Sequence, residues 1–385
     1  MRILFATTRG AGHVGPLVPF AHACVAAGHD VLVAAAPSTR PHVQRAGLKF
    51  SPVGEPDEAT MAEIWTRVKA APTGVEAGKI VFEEVFAGEF ARSALPGLMA
   101  LTGRWLPDVV VRETCEFASV LAAESIGVPD VHAACFLTVV NERWYDLARP
   151  MTKMRAEFGL PAPRRDRSRE PYLTLAPRSL EHPDFPEFPG TRRFRAPTTP
   201  VRPLPDWWDG SDEPLVYVSF GSSAAGNGFF PEVYRGALDA LAELPVRVLL
   251  TVGTEVDPAD LGAVPANAHV EAWVPQGAVM AHAAAMVGHG GSGSTLAAMA
   301  AGMPLALVPL FADQPDNAER IAALGAGLHL DGTTRLAEAV TTLLDDPSYR
   351  TAARAVAQDI AALPPVTAAV SLLADIAEEG LPLAA

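Results

Sequence analysis

An α/β fold of two successive halves, each built on a parallel sheet, is predicted by three observations. The chain of 385 residues exceeds one ordinary core. Short β-branched runs bounded by Gly or Pro alternate with longer Ala- and Leu-rich segments. Each half opens with a strand that runs directly into a glycine-bearing turn.

In the first half, Ile3 to Ala6, Val31 to Ala34 and Val109 to Val111 read as strands. Pro16 to Ala27 reads as a helix: Pro16 stands near its start, where a missing N–H costs nothing, and Gly28 stops it. In the second half the strands are Leu215 to Ser219, Val246 to Val252, Met286 to Val287 and Leu305 to Val308. Helices are expected over Pro231 to Leu244, Ser292 to Ala301 and Pro315 to Leu324. From Leu160 to Pro214, prolines and arginines displace the periodic apolar positions, which predicts a semi-rigid linker. The expected domains are 1–205, with that linker at its end, and 206–365; a terminal helical segment, 366–385, is free to pack back on the first domain. Ligands are expected in a central cleft between the halves.

With 49% apolar and 19% charged residues, the composition belongs to a chain that buries a core. A formal charge of -14 argues against affinity for nucleic acid or an anionic membrane surface. Three cysteines without CxxC spacing suit buried thiols in a reducing compartment, and no apolar run is long enough for a bilayer, so a cytoplasmic location is expected.

Gly10, Gly12 and Gly15 spell GxGxxG after the first strand. A dinucleotide site also needs an acidic residue at the end of the second strand, and Val31-Leu-Val-Ala-Ala-Ala-Pro37 supplies none, which leaves an NAD enzyme a distant alternative. What remains is His13, an imidazole at the carboxyl end of a strand, placed either to act as general base or merely to cap the following helix. Glu113 would emerge on the same sheet edge as its orienting carboxylate, unless it lies on the surface paired with Arg112. No HExxH and no Asp-x-Asp occurs, so no metal site is expected.

The second turn, Gly288-His-Gly-Gly-Ser-Gly-Ser-Thr295, opens a helix and lacks the lysine of a P-loop. Its unpaired N–H groups and helix dipole suit a diphosphate, with His289 adding a donor and Ser294 or Thr295 a hydroxyl, without any metal.

Trp273-Val-Pro-Gln276, His282, His289-Gly-Gly-Ser-Gly-Ser-Thr295, Gly302-Met-Pro304, Asp313-Gln314 and Asn317-Ala318, in that order, resemble the donor-binding signature of the UDP-glycosyltransferase superfamily. Gly12-His13-Val-Gly-Pro16 and Val216-Tyr-Val-Ser-Phe-Gly-Ser222 extend the likeness over the whole chain, which is most similar to actinobacterial natural-product glycosyltransferases of the macrolide and polyketide type. The resemblance implies a GT-B fold, two Rossmann-like domains facing a cleft, and metal-independent inverting transfer. It implies that Trp273, with the backbone near Val274 and with Gln276, takes the nucleoside; that Ser222, His289, Gly290, Gly291, Ser292, Gly293, Ser294 and Thr295 hold the diphosphate; and that Asp313 and Gln314 bind sugar hydroxyls. His13 and Glu113 become the catalytic pair, although relatives commonly carry Asp where this chain has Glu113.

Where many UDP-sugar users carry a ribose-binding Glu, this chain has Ala297, so a dTDP-activated deoxysugar donor is expected and no other cofactor. Gly12, Phe82, Phe86 and Trp144 are assigned to the acceptor side, a small hydrophobic molecule; Phe82, Phe86 and Phe90 at helical spacing fit a plain core as well. The rival readings are a nucleotide-sugar epimerase or hydrolase of the same fold and a non-catalytic sugar-nucleotide binder. The acceptor, the sugar, the type of glycosidic bond and homodimer formation are left open by the sequence.

Overall fold

Ile3, Leu4, Phe5 and Ala6 expose no surface. A run so apolar on both faces belongs in the middle of a parallel sheet covered by helices. The computed structural model, which describes residues 1–140, 148–161, 170–198 and 212–379, puts it there. The first sheet comprises Arg2–Ala6 (β1), Asp30–Ala35 (β2), Phe50–Pro52 (β3), Val109–Glu113 (β4), Asp130–Ala133 (β5), Tyr172–Thr174 (β6) and Thr191–Arg193 (β7). Their spatial order is β3-β2-β1-β4-β5-β6-β7, with every pairing parallel.

The second sheet comprises Leu215–Ser219 (β8), Arg247–Thr251 (β9), Ala268–Glu271 (β10), Ala285–Gly288 (β11), Leu305–Leu307 (β12) and Gly327–His329 (β13). It is likewise parallel, in the order β10-β9-β8-β11-β12-β13. Both orders reverse direction once, between β1 and β4 and between β8 and β11. In open parallel sheets the crossover connections diverge at that reversal and leave a crevice beyond the carboxyl ends of the two strands. His13 and Glu113 flank the first reversal, and Ser222 and His289 flank the second.

The chain divides into two compact units, one of Met1–Leu175, Pro183–Ala196 and Pro364–Ala385, the other of Ala176–His182 and Pro197–Leu363. Each has its own core. In the first unit, Val366, Ala369, Leu373 and Ile376 pack in one cluster with Phe20, Cys24, Val31 and Val109, so the helix Ala368–Glu379 is part of the N-terminal core. Arg195 N–H donates to Pro364 O, and Val366 N–H donates to Arg195 O, tying that segment down. In the second unit Val218, Phe220, Tyr234, Leu250, Val287 and Leu336 are buried together.

Two sequence expectations are corrected. The stretch 160–214 is not linker alone, because β6 and β7 lie within it and extend the first sheet at one edge. Prolines are tolerated at a sheet edge, so their density hid the strands. The helix expected from Pro16 begins earlier: Ala11–Val14 is already helical, a tighter turn over Gly15–Leu17 follows, and Val18–Ala26 completes it. His13 therefore stands in the first helical turn rather than in a loop.

Candidate active site

The register of the first sheet builds the site. Ala6 lies opposite Arg112, so the chain leaving β1 runs past the end of β4, where Glu113 is the last strand residue. Glu113 has 0% exposure. Its Oε1 accepts from Thr8 N–H at 3.0 Å and from Thr8 Oγ1–H at 2.8 Å, and its Oε2 accepts from Cys115 N–H at 2.6 Å and from the Cys135 thiol at 3.1 Å. Four donors, in addition to His13, are aimed at one carboxylate. Burial alone would raise its pKa, but the charge and hydrogen bond of His13 and the Cys115 and Thr8 amides together hold it at about 2.

Arg112 does not pair with Glu113. Its guanidinium faces Asp130 at 3.5 Å and Glu170 at 2.6 Å. The reading of Glu113 as a surface carboxylate is thereby replaced: it is a buried anion.

His13 Nδ1 stands 3.2 Å from Glu113 Oε2. An ionised carboxylate can only accept, so Nδ1 carries the hydrogen, and whenever the ring is neutral its lone pair lies on Nε2. The imidazole side chain is 17% exposed. Its ring meets those of Phe86 and Phe136, at 5.3 Å and 6.1 Å between centroids. Phe82 packs against both phenylalanines. Phe82 and Phe90 are buried, whereas Phe86 and Phe136 are half-buried beside the histidine. Phe136, in the loop after β5, is one of the first half's many aromatic residues that could line an acceptor pocket; its place beside the histidine became legible only through the fold. Phe86 also lines a small cavity, with Thr8, Phe90, Glu116 and Phe117. Gly12 is exposed, and a Cβ there would meet nothing within 4 Å. Trp144 lies outside the described residues.

The second unit carries the other predicted set. Gly290 has φ +84°, and a Cβ there would stand 2.8 Å from Gln314 O, so this turn requires glycine. Gly291 precedes the helix Ser292–Ala300, which presents the amides of Ser292, Gly293 and Ser294, whereas Thr295 N–H donates to Gly291 O at 3.0 Å. Asn317 latches the turn: its Nδ2 donates to Gly290 O at 2.8 Å and to Asp313 Oδ2 at 2.7 Å. Ser292 Oγ–H also donates to Asp313, at 2.6 Å. Gln314 Oε1 accepts from the N–H groups of Leu310 and Phe311, at 2.7 Å and 3.0 Å. Asp313, read from the sequence as a sugar ligand, thus braces the turn that carries the amides, whereas Gln314, read likewise, holds the main chain at Leu310 and Phe311.

His289 is buried, and a Cβ on Gly221 or Gly291 would lie 2.6 Å or 2.4 Å from its Nε2. The ring is clasped by two glycine turns. Burial lowers its pKa to about 4, so it is a neutral imidazole. His289 Nδ1 and Thr295 Oγ1 are buried without a hydrogen-bond partner among the described residues. Ser222 is exposed just past β8. Trp273 is 56% exposed beyond β10, next to buried Val274 and half-buried Gln276, which starts the helix Gln276–Met280. An indole so open is a flat apolar face available for stacking.

Comparison with known proteins identifies the family and the fold. Residues 22–152 match the N-terminal domain, and residues 235–376 the C-terminal domain, of the erythromycin biosynthesis protein CIII-like family. The L-demethylnoviosyl transferase of Streptomyces niveus is 32% identical over 97% of this chain and 98% of its own. The crystal structure of the glycosyltransferase SnogD from Streptomyces nogalater superposes with a TM-score of 0.78 at 28% identity, covering 98% of this chain and 99% of that one. That of the glycosyltransferase VinC in complex with dTDP gives a TM-score of 0.77 at 26% identity, over 99% and 100%. With its two parallel-sheet units of GT-B type, the chain belongs to the erythromycin biosynthesis protein CIII-like family of actinobacterial natural-product glycosyltransferases.

Proposed function

We propose that the enzyme is an inverting glycosyltransferase that moves a sugar, a deoxysugar by preference, from dTDP to a hydroxyl of a small hydrophobic natural product. One observation carries the reading: an imidazole, oriented by a wholly buried anionic carboxylate, stands among phenylalanine rings. His13 Nε2 accepts the acceptor's hydroxyl proton as the oxygen attacks the anomeric carbon. The new carbon–oxygen bond forms as the bond to the donor phosphate breaks on the opposite face. Glu113 stabilises the resulting imidazolium without itself taking the proton. The departing diphosphate leaves with its charge on the amides of Gly290 to Ser294, aided by the Thr295 hydroxyl, His289 and Ser222, so a metal has no required part. Asp313 and Gln314 orient the sugar, and Trp273 stacks on the base. Phe82 and Phe86, with Gly12 at the helix start, bound the acceptor, and Trp144 is carried here from the sequence resemblance.

The dTDP preference is supported by Ala297 on the helix that begins with these amides, where no carboxylate meets a ribose hydroxyl, and by the dTDP bound to VinC. Three free, buried cysteines suit a cytoplasmic enzyme.

The test is direct. Matched dTDP- and UDP-glucose are supplied with a panel of aromatic polyketide and macrolide aglycones, and the product's anomeric configuration is read by proton coupling. Inversion with faster turnover of the dTDP sugar is expected. Retention would refute the single displacement, and a UDP preference would refute the donor assignment.

A further inference from the structure

Cys135 takes no part in the transfer just described, yet its sulfur is built into the catalytic pair. It is buried, held by a hydrogen bond from its own amide to Thr114 Oγ1 at 3.0 Å, and its thiol reaches Glu113 Oε2 at 3.1 Å. The same oxygen takes the His13 Nδ1 hydrogen at 3.2 Å. A nitrogen, an oxygen and a sulfur, all within 4.8 Å of one another, therefore converge on one point, joined at present by two hydrogens. Around a tetrahedral Zn²⁺ with bonds of about 2.0–2.3 Å, donor atoms stand roughly 3.3–3.7 Å apart. Two of the three separations already approach that spacing, and the third is no more than 4.8 Å, at a ring that is partly exposed.

We propose that His13 Nδ1, Glu113 Oε2 and Cys135 Sγ form a three-ligand binding site for a thiophilic divalent cation, Zn²⁺ foremost, whose occupation switches the enzyme off. The charge balance favours it. Glu113 is now a buried anion; Zn²⁺ arrives with two positive charges, the thiol releases one proton to the buffer, and the cluster becomes neutral. Hard cations such as Mg²⁺ prefer six oxygen ligands and have no place in a site with one thiolate, one imidazole and one carboxylate oxygen. Inhibition follows from the tautomer. A metal on Nδ1 displaces that hydrogen and leaves the ring proton on Nε2, so no lone pair faces the acceptor. This inhibitory half rests on the general-base reading, whereas the binding half does not.

The experiment separates them. The full-length enzyme, kept reduced with a phosphine, is titrated with Co²⁺ as a spectroscopic stand-in, and Zn²⁺ is then added in competition. One equivalent of Co²⁺ should give a thiolate-to-cobalt charge-transfer band that Zn²⁺ abolishes. Cys135→Ala should lose the band altogether. His13→Gln, a change at a partly exposed ring that leaves the core untouched, should weaken binding by at least about 10- to 100-fold, the loss that even outer contacts to a metal carry. Transfer by the unaltered enzyme should fall as Zn²⁺ becomes stoichiometric and recover with a chelator, while Mg²⁺ does nothing. In Cys135→Ala the ratio of rates with and without Zn²⁺ should return to one. Absence of the band, or its persistence in Cys135→Ala, overturns the site and leaves the base assignment standing. A normal band without inhibition overturns the base assignment and leaves the site standing.

Discussion

The two glycine-bearing turns sit at equivalent points of two similar sheets, yet they are built on opposite principles. The turn after β1 holds a titratable side chain against buried ionised and ionisable carboxyls, Glu113 and, one turn on, Glu116. The turn after β11 is main chain, latched by Asn317 and Asp313 over a buried imidazole kept neutral. One is suited to moving a proton and the other to meeting an anion. The contrast shows why a glycine pattern alone does not disclose function: what lies beneath the turn decides it.

The sharpest way to break this comparison is to delete the base. His13→Ala should lower kcat by about 10² to 10⁴ with a hydroxyl acceptor, the span that general-base catalysis contributes. Glu113→Gln keeps the shape but can offer its amide as donor to Nδ1, favouring the wrong tautomer, and should approach the same loss. Donor binding, followed by dTDP-induced thermal shift, should be unchanged in both, because the amides belong to the other turn. Full activity in His13→Ala would reduce the first turn to a helix start like any other.

The next effect is on stability. Glu116 is buried, and its Oε1 accepts from the N–H groups of Ala118 and Ser119 at 3.1 Å and 3.2 Å. Burial, only partly offset by those hydrogen bonds, raises its pKa from 4.5 to about 7. Between those values the native chain keeps a proton that the unfolded chain has released, so stability falls as pH rises, by about 3 kcal/mol in all. His289 works in the opposite sense: its pKa drops from 6.5 to about 4, the unfolded chain binds the extra proton, and stability is lost as pH falls through that window. Glu116→Gln retains the accepting oxygen and removes the ionisation. Urea unfolding should show the variant gaining about 3 kcal/mol at pH 8 and little at pH 5. An equal gain at both values would mean that the carboxyl is not the cause.

How much of this was legible depended on range. The second turn could be read from consecutive residues, since its glycines, helix start and flanking motifs are local. The His13–Glu113 pair could be suspected because both follow strands of one sheet edge, but its strength could not, because Thr8, Cys115 and Cys135 are brought in by strand register. β5 escaped notice for a related reason. Its Asp130 and His132 are buried polar residues paired with Arg112 and Thr114, which breaks the apolar run that marks a central strand. β6 and β7 were masked by edge prolines. Phe136 carried no local signal, and Asn317 appeared only as part of a motif, without its latching role.

The smallest expected effect sharpens the comparison at single carbon atoms. A methyl group on Gly290 would enter a left-handed backbone position and press on Gln314 O at 2.8 Å, and backbone cannot swing aside as a side-chain tip can. Gly290→Ala should therefore cost about 1–2 kcal/mol in unfolding free energy and weaken dTDP binding by at least about 10-fold, since a shifted turn carries its amides with it. Gly12 offers the contrary case: it is helical, and its Cβ would stand in open space. Gly12→Ala should hold or raise stability, by up to about 1 kcal/mol, because alanine suits a helix better than glycine. Any penalty it carries should appear only as a raised KM for the acceptor. If instead Gly290→Ala bound dTDP normally while Gly12→Ala impaired it, the assignment of anion to the second turn and acceptor to the first would have to be exchanged.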